Sequence, residues 1–157
     1  MEIDSKRVIE LLTAADDVLI LTHKNPDGDT LGCAVALWHV LTAMGKRAAI
    51  INGQPIPKRY DLLFEGLEMP EFEPKFIVAV DVADNKLLGS KLDALYGDKV
   101  DLCIDPHATN VNYAKETFLN GDDCAAALTL YRIFAEMGAE ITPAVANALY
   151  TGISTDT

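Results

Sequence analysis

Apolar positions along the chain follow two different periods. Residues 4–15 place Val8, Leu11, Leu12 and Ala15 at helical spacing, and residues 30–44 do so again through Leu31, Ala34, Val35, Trp38 and Leu41, with Gly45 as the C-terminal cap. A third helix is predicted over 122–137. It has an acidic start, with Ala126, Leu130, Ile133, Phe134 and Met137 on one face and Gly138 behind. Thr142 and Pro143 read as N-cap and first turn of a last helix running towards Gly152. Between these stripes lie short unbroken apolar runs at 18–22, 47–51, 76–80 and 100–104, which read as strands. Residues 52–63 are Pro-rich and loop-like, and 85–97 predict a short helix. Strands alternate with helices, and the strands are continuously rather than alternately apolar. That pattern specifies a mostly parallel sheet buried on both faces, an α/β fold of the Rossmann-like, doubly wound kind.

At 157 residues the chain predicts one domain. Half of its residues are hydrophobic and a quarter charged, as in a folded protein. Its net charge of −11 excludes nucleic-acid binding through a broad basic face. Cys33, Cys103 and Cys124 form no CxxC pair and read as reduced core thiols, so a cytoplasmic location is expected. No apolar stretch approaches the ~18 residues of a membrane span, and the charged start MEIDSKRVIE has no apolar signal core.

The chemistry falls at the ends of the predicted strands. The first run ends in His23, followed by Asp27 and Asp29; the third ends in Asp81; the fourth ends in Asp105, with His107 two residues on. In an open α/β sheet the carboxyl ends of parallel strands face one crevice, so these six side chains are expected to converge. Carboxylates crowded together need counter-charge. Histidine and aspartate without cysteine suit Mn²⁺, Mg²⁺ or a similar divalent ion, and a pair of such ions would make a hydrolytic site for phosphate esters. Gly28 lets the PDGD turn fold so that both aspartates face inward, and Thr30 opens a helix whose positive end favours phosphate.

Taken singly, each piece has a plainer reading. PDGD describes a solvated turn and lacks the Gly and Glu positions of an EF-hand loop. His39 lies mid-helix beside Trp38, and Lys24, Lys58 and Arg59 read as solvated. NPDGDTLG is not the G-x-G-x-x-G of a dinucleotide-binding loop. Three strands ending in Asp or His is what favours the metal reading.

The motifs H-x-x-x-D-x-D (His23, Asp27, Asp29), the isolated Asp81, D-x-H-x-x-N (Asp105, His107, Asn110) and a terminal GISTDT containing Asp156 occur in order across residues 23–156. Together they resemble the DHH phosphoesterases. HKNPDGDTLG and NGQPIPKRYDLL look most like the bifunctional oligoribonucleases that also dephosphorylate 3′-phosphoadenosine 5′-phosphate (pAp). The resemblance implies a metal-dependent hydrolase acting on short oligonucleotides or pAp. His23 and Asp27 would hold one metal, Asp29 and Asp156 another, and Asp81 would bridge them; two Mn²⁺ are expected, or Mg²⁺. His107 would meet the substrate phosphate, Asn110 would support its loop, and Asp105 would orient the histidines. The implied partners are a phosphorylated nucleotide or short oligonucleotide and a second copy of the chain in a homodimer, with no membrane.

Two departures bear on this. Pro106 stands where the family has a histidine that ligates the second metal, and it offers no ligand atom. The chain also ends at Thr157, where the family continues into a smaller Gly-rich, basic domain. Residues 1–157 are therefore expected to be the DHH catalytic domain without that second domain. The alternatives are a catalytically impaired metal- or nucleotide-binding module, or another DHH activity such as exopolyphosphatase or cyclic-dinucleotide phosphodiesterase.

Overall fold

A computed structural model describes residues 1–156. The four apolar runs form β1 (Val18–Leu21), β2 (Ala48–Ile51), β3 (Phe76–Val80) and β4 (Leu102–Asp105). A fifth strand, β5 (Glu116–Leu119), lies at the edge. All pair in parallel, in the order β2-β1-β3-β4-β5. The sheet order reverses between β1 and β3, and that switch point opens the crevice of a doubly wound sheet.

The period of two along each strand divides the core into halves. Val18, Ile20, Ile50, Val78, Val80, Leu102 and Ile104 pack against four helices: α1 (Ser5–Ala14), α2 (Gly28–Ala43), α5 (Ala126–Met137) and α6 (Pro143–Asp156). Leu19, Leu21, Ala49, Ile77, Ala79 and Cys103 face the other way, under Leu88 and Leu92 and beside Phe72 and Tyr113. That second layer is thin. It holds a 3-10 turn (Asn85–Leu88) and α4 (Ser90–Tyr96), so the helix expected over 85–97 is broken at Gly89, whose φ is +90°. The Pro-rich segment contains a 3-10 turn (Lys58–Tyr60) and the four-residue α3 (Asp61–Phe64).

Two expectations are corrected. Helix α5 begins at Ala126 rather than Asp122, because Asp123 folds the preceding residues into a turn. Its Oδ2 accepts from Asn120 Nδ2 (2.8 Å) and Thr129 Oγ1 (2.9 Å), and its Oδ1 from Arg132 Nε (3.1 Å). Cys124 lies in that turn and is exposed; only Cys33 and Cys103 are core thiols. Strand β5 has no counterpart among the runs read from sequence. Its ETFL pattern is only partly buried, and its partners are β4 and the N-terminus, through Thr117 N–H to the Met1 carbonyl (2.8 Å) and Ile3 N–H to the Thr117 carbonyl (2.9 Å).

Helices α2 and α6 touch through glycine. A Cβ at Gly28 would meet the Thr155 side chain, and one at Gly32 the Ala148 carbonyl. Only glycine permits this approach, which sets the C-terminal turn of α6, and with it Asp156, beside the N-terminal turn of α2. No helix among the described residues is long and apolar enough to cross a membrane.

Candidate metal centre

The carboxyl ends of β1, β3 and β4 open on one cavity of about 330 Å³, walled by His23, Asp27, Asp81, Ala83, Leu87, His107, Thr109 and Asp156. None of these wall residues is a lysine or arginine, so the cavity is set for a cation.

His23 leaves the end of β1. Its Nδ1 lies 2.7 Å from the Lys24 carbonyl, which can only accept, so Nδ1 carries the proton. Nε2 is therefore the atom turned to the carboxylates, 3.5 Å from Asp27 Oδ1 and 3.6 Å from Asp81 Oδ2. Metal-binding imidazoles are commonly oriented by such a backbone carbonyl. Asp27 is the N-cap of α2; its Oδ1 accepts from Asp29 N–H (3.1 Å) and Thr30 N–H (3.0 Å). Thr30 Oγ1 donates to the Val80 carbonyl (2.9 Å) and so ties this turn to the end of β3.

Asp81 follows β3 with φ of +62°, a left-handed conformation that costs an aspartate roughly 1 kcal/mol or more. The strained residue is 5% exposed, and its Oδ1 has no hydrogen-bond partner among the described residues. A buried carboxylate oxygen without a donor is costly unless a cation meets it. Tyr113 supports this turn from behind, its Oη donating to the Val82 carbonyl (2.9 Å).

Asp105 ends β4 fully buried, with both oxygens engaged: Oδ1 with His107 Nδ1 at 2.6 Å and Oδ2 with Asn110 Nδ2 at 2.8 Å. His107 is half exposed, and its Nδ1 lies 3.6 Å from Asp81 Oδ1. Asn110 Oδ1 also accepts from Asn112 N–H (2.8 Å), which closes the loop.

The charges are coupled. Burial works to lower the pKa of His23, but hydrogen bonds to Asp27, Asp81 and the Lys24 carbonyl outweigh it and push it up to about 10. Burial works to raise Asp27, yet His23 and the Thr30 and Asp29 amides hold it below the usual carboxylate range. Asp81 is raised, chiefly by burial. His107 is raised despite burial, through its bond to Asp105.

Six of the eight residues singled out from sequence, His23, Asp27, Asp81, Asp105, His107 and Asn110, gather at these strand ends, and Asp156 joins them from the exposed end of α6. Asp29 stands apart. It is fully buried, is not among the cavity walls, and accepts Ala126 N–H at Oδ2 (2.8 Å) and Ala127 N–H at Oδ1 (2.9 Å). Burial and the Asp81 charge raise its pKa against the pull of those amides. Two sets of ligand atoms lie within 4.8 Å of one another: His23, Asp27 and Asp81, and Asp81, Asp105 and His107. The first can hold a metal ion, since one imidazole nitrogen and two carboxylates form a donor set suited to a divalent cation. His39, by contrast, packs edge-on against Trp38 with ring centroids 5.1 Å apart, and burial lowers its pKa. Ala83, Leu87 and Thr109 had no signal in the sequence, because nothing in their residue types marks a cavity wall.

A family model described as the DHH family, N-terminal domain, matches residues 17–153. The chain is 28% identical over 157 residues to the bifunctional oligoribonuclease and PAP phosphatase NrnA of Thermus thermophilus, covering 96% of this chain and 46% of that protein. It also superposes on the crystal structure of an exopolyphosphatase-related protein from Bacteroides fragilis, with a TM-score of 0.86, 21% identity, and coverage of 98% of this chain and 49% of the other. The chain thus spans about half the length of both relatives.

Proposed function

The chain belongs to the DHH family, and on that footing we propose that it is the catalytic domain of a metal-dependent phosphoesterase acting on short oligonucleotides or pAp. The observation that carries the reading is the buried, partnerless Oδ1 of Asp81 at the switch point of the sheet. The relative NrnA supports the choice of substrates.

His23, Asp27 and Asp81 would hold a divalent cation, Mn²⁺ or Mg²⁺. Such an ion supplies Lewis-acid polarisation of a phosphoryl oxygen and an acidified water. The side chains do the rest. Asp105 fixes His107 with its Nδ1 proton inward, which leaves Nε2 as the atom to meet a phosphate or leaving-group oxygen. The bond to Asp105 raises the pKa of His107 against the effect of burial, which favours the protonated ring. Asn110 holds the second oxygen of Asp105, so the dyad cannot swing away. With no lysine or arginine on the cavity wall, the cation and His107 in its protonated form are the positive groups available to the substrate.

Calorimetric titration with Mn²⁺ tests the reading. The native chain should bind and Asp81→Ala should not; negligible heat from both would end the proposal. Hydrolysis of pAp or a dinucleotide should fall at least about 100-fold in Asp105→Asn, through loss of the imidazole's orientation. A second reading, a binding module with impaired chemistry, is favoured by Pro106 alone. Metal binding without hydrolysis of either substrate would select it.

A further inference from the structure

We infer that this chain is built for a single divalent cation, and that Asp29 is an internal fastening between helices rather than a metal ligand. The inference rests on the metal-dependent reading above and narrows it.

The second position lacks ligands for three separate reasons. Both oxygens of Asp29 are taken by the first two amides of α5, at 2.8 and 2.9 Å, and its side chain has no exposure. Charge-assisted bonds from a helix N-terminus are strong, and a carboxylate held by two of them is already neutralised in part. Helix α6 then closes over it: a Cβ at Gly152 would lie 2.9 Å from Asp29 Oδ1 and 2.6 Å from Ala127 Cβ. Asp29 is therefore sealed between α2, α5 and α6, and turning it outward would strip two amides of their acceptor inside the core.

Pro106 adds no donor between Asp105 and His107. In the remaining cluster of Asp81, Asp105 and His107, both Asp105 oxygens and His107 Nδ1 are already engaged, Asp105 with His107 at 2.6 Å and with Asn110 at 2.8 Å, so that Asp81 Oδ1 is its one open donor. Among the described residues, that leaves Asp156 and the open Oδ1 of the shared Asp81 on the cavity wall, and two carboxylates make a poor cage for a second ion.

The test is the number of Mn²⁺ ions per chain, read by elemental analysis after desalting and by electron paramagnetic resonance. One ion per chain with an isolated six-line spectrum is expected. Two ions with a spin-coupled spectrum, as in a pair ~3.5–4 Å apart, would overturn the inference and leave the phosphoesterase reading standing. No bound ion would overturn both. Asp29→Asn should keep one ion while its thermal midpoint falls by several degrees; loss of the ion from a folded Asp29→Asn chain contradicts the fastening. Pro106→His, which restores an imidazole but leaves Asp29 sealed, should also stay at one ion, and a rise to two counts against the inference even if Asp29→Asn fails to fold.

Discussion

Asp27 and Asp29 leave the same turn two residues apart and meet opposite fates. Asp27 caps its own helix through Oδ1, with His23 Nε2 near the same atom, and half its side chain stays open to the cavity. Asp29 is turned into the protein, where the start of α5, 97 residues further on, supplies a donor to each oxygen. Residue type is the same. Each accepts two backbone amides, but both fall on one oxygen of Asp27 and one falls on each oxygen of Asp29, which is also fully buried. A carboxylate left partly open beside an imidazole is a ligand in waiting, whereas one buried with both oxygens bonded to a helix end is a joint.

The largest effect should come from the open side. Asp81→Asn keeps the shape of the residue but removes the charge shared by His23 and the cavity, and Mn²⁺ affinity should drop at least 100-fold by calorimetry. An unchanged affinity would erase the distinction between the two aspartates. On the closed side, Asp29→Asn turns an amide group towards amide donors and should cost on the order of 3 kcal/mol in chemical denaturation. A loss below about 0.5 kcal/mol would mean that the joint bears little of the fold.

Gly152→Ala presses on the joint from α6. In an open helix the change stabilises by up to ~1 kcal/mol, but here the new methyl meets Ala127 Cβ at 2.6 Å and Asp29 Oδ1 at 2.9 Å. Net destabilisation of about 1–2 kcal/mol is expected, a fall of roughly 2–8 °C in thermal midpoint. A stabilised variant would show that α6 can yield.

The smallest effect is a proton count. With its pKa at about 10 in the metal-free chain, His23 is protonated at pH 7 and must lose the Nε2 proton to ligate. Binding of Mn²⁺ should therefore release about one proton, seen as a dependence of the apparent enthalpy on buffer ionisation, and affinity should rise with pH up to about 10. For the metal-free fold the sign is reversed: the His23 contribution is complete below the unfolded value near 6.5 and is lost as pH rises through 10. Zero proton release would mean that His23 lies outside the cation's ligand set.

Much of this was legible in the chain. VLIL, AAII, FIVAV and LCID are buried on both faces, so their continuous hydrophobicity announced parallel strands. A parallel sheet then sends His23, Asp81 and Asp105 to one rim whatever the loops do. Strand β5 was not legible, because an edge strand with a half-polar pattern gives no apolar run; its hydrogen bonds come from β4 and Met1. The start of α5 was misplaced because acidic residues before a helix resemble a capping turn, and only the folded chain shows Asp123 bonded to Asn120, Thr129 and Arg132.

Local pattern by itself determined the α/β class, the parallel sheet and the set of acids and imidazoles at its carboxyl edge, since these depend on periodicity and on which residue follows each strand. Tertiary structure alone decided which of those acids stay open. The partner of Asp29 lies almost a hundred residues away, the left-handed turn at Asp81 is held by β4 and Tyr113, and hydrogen-bond saturation belongs to the packed chain rather than to any stretch of it.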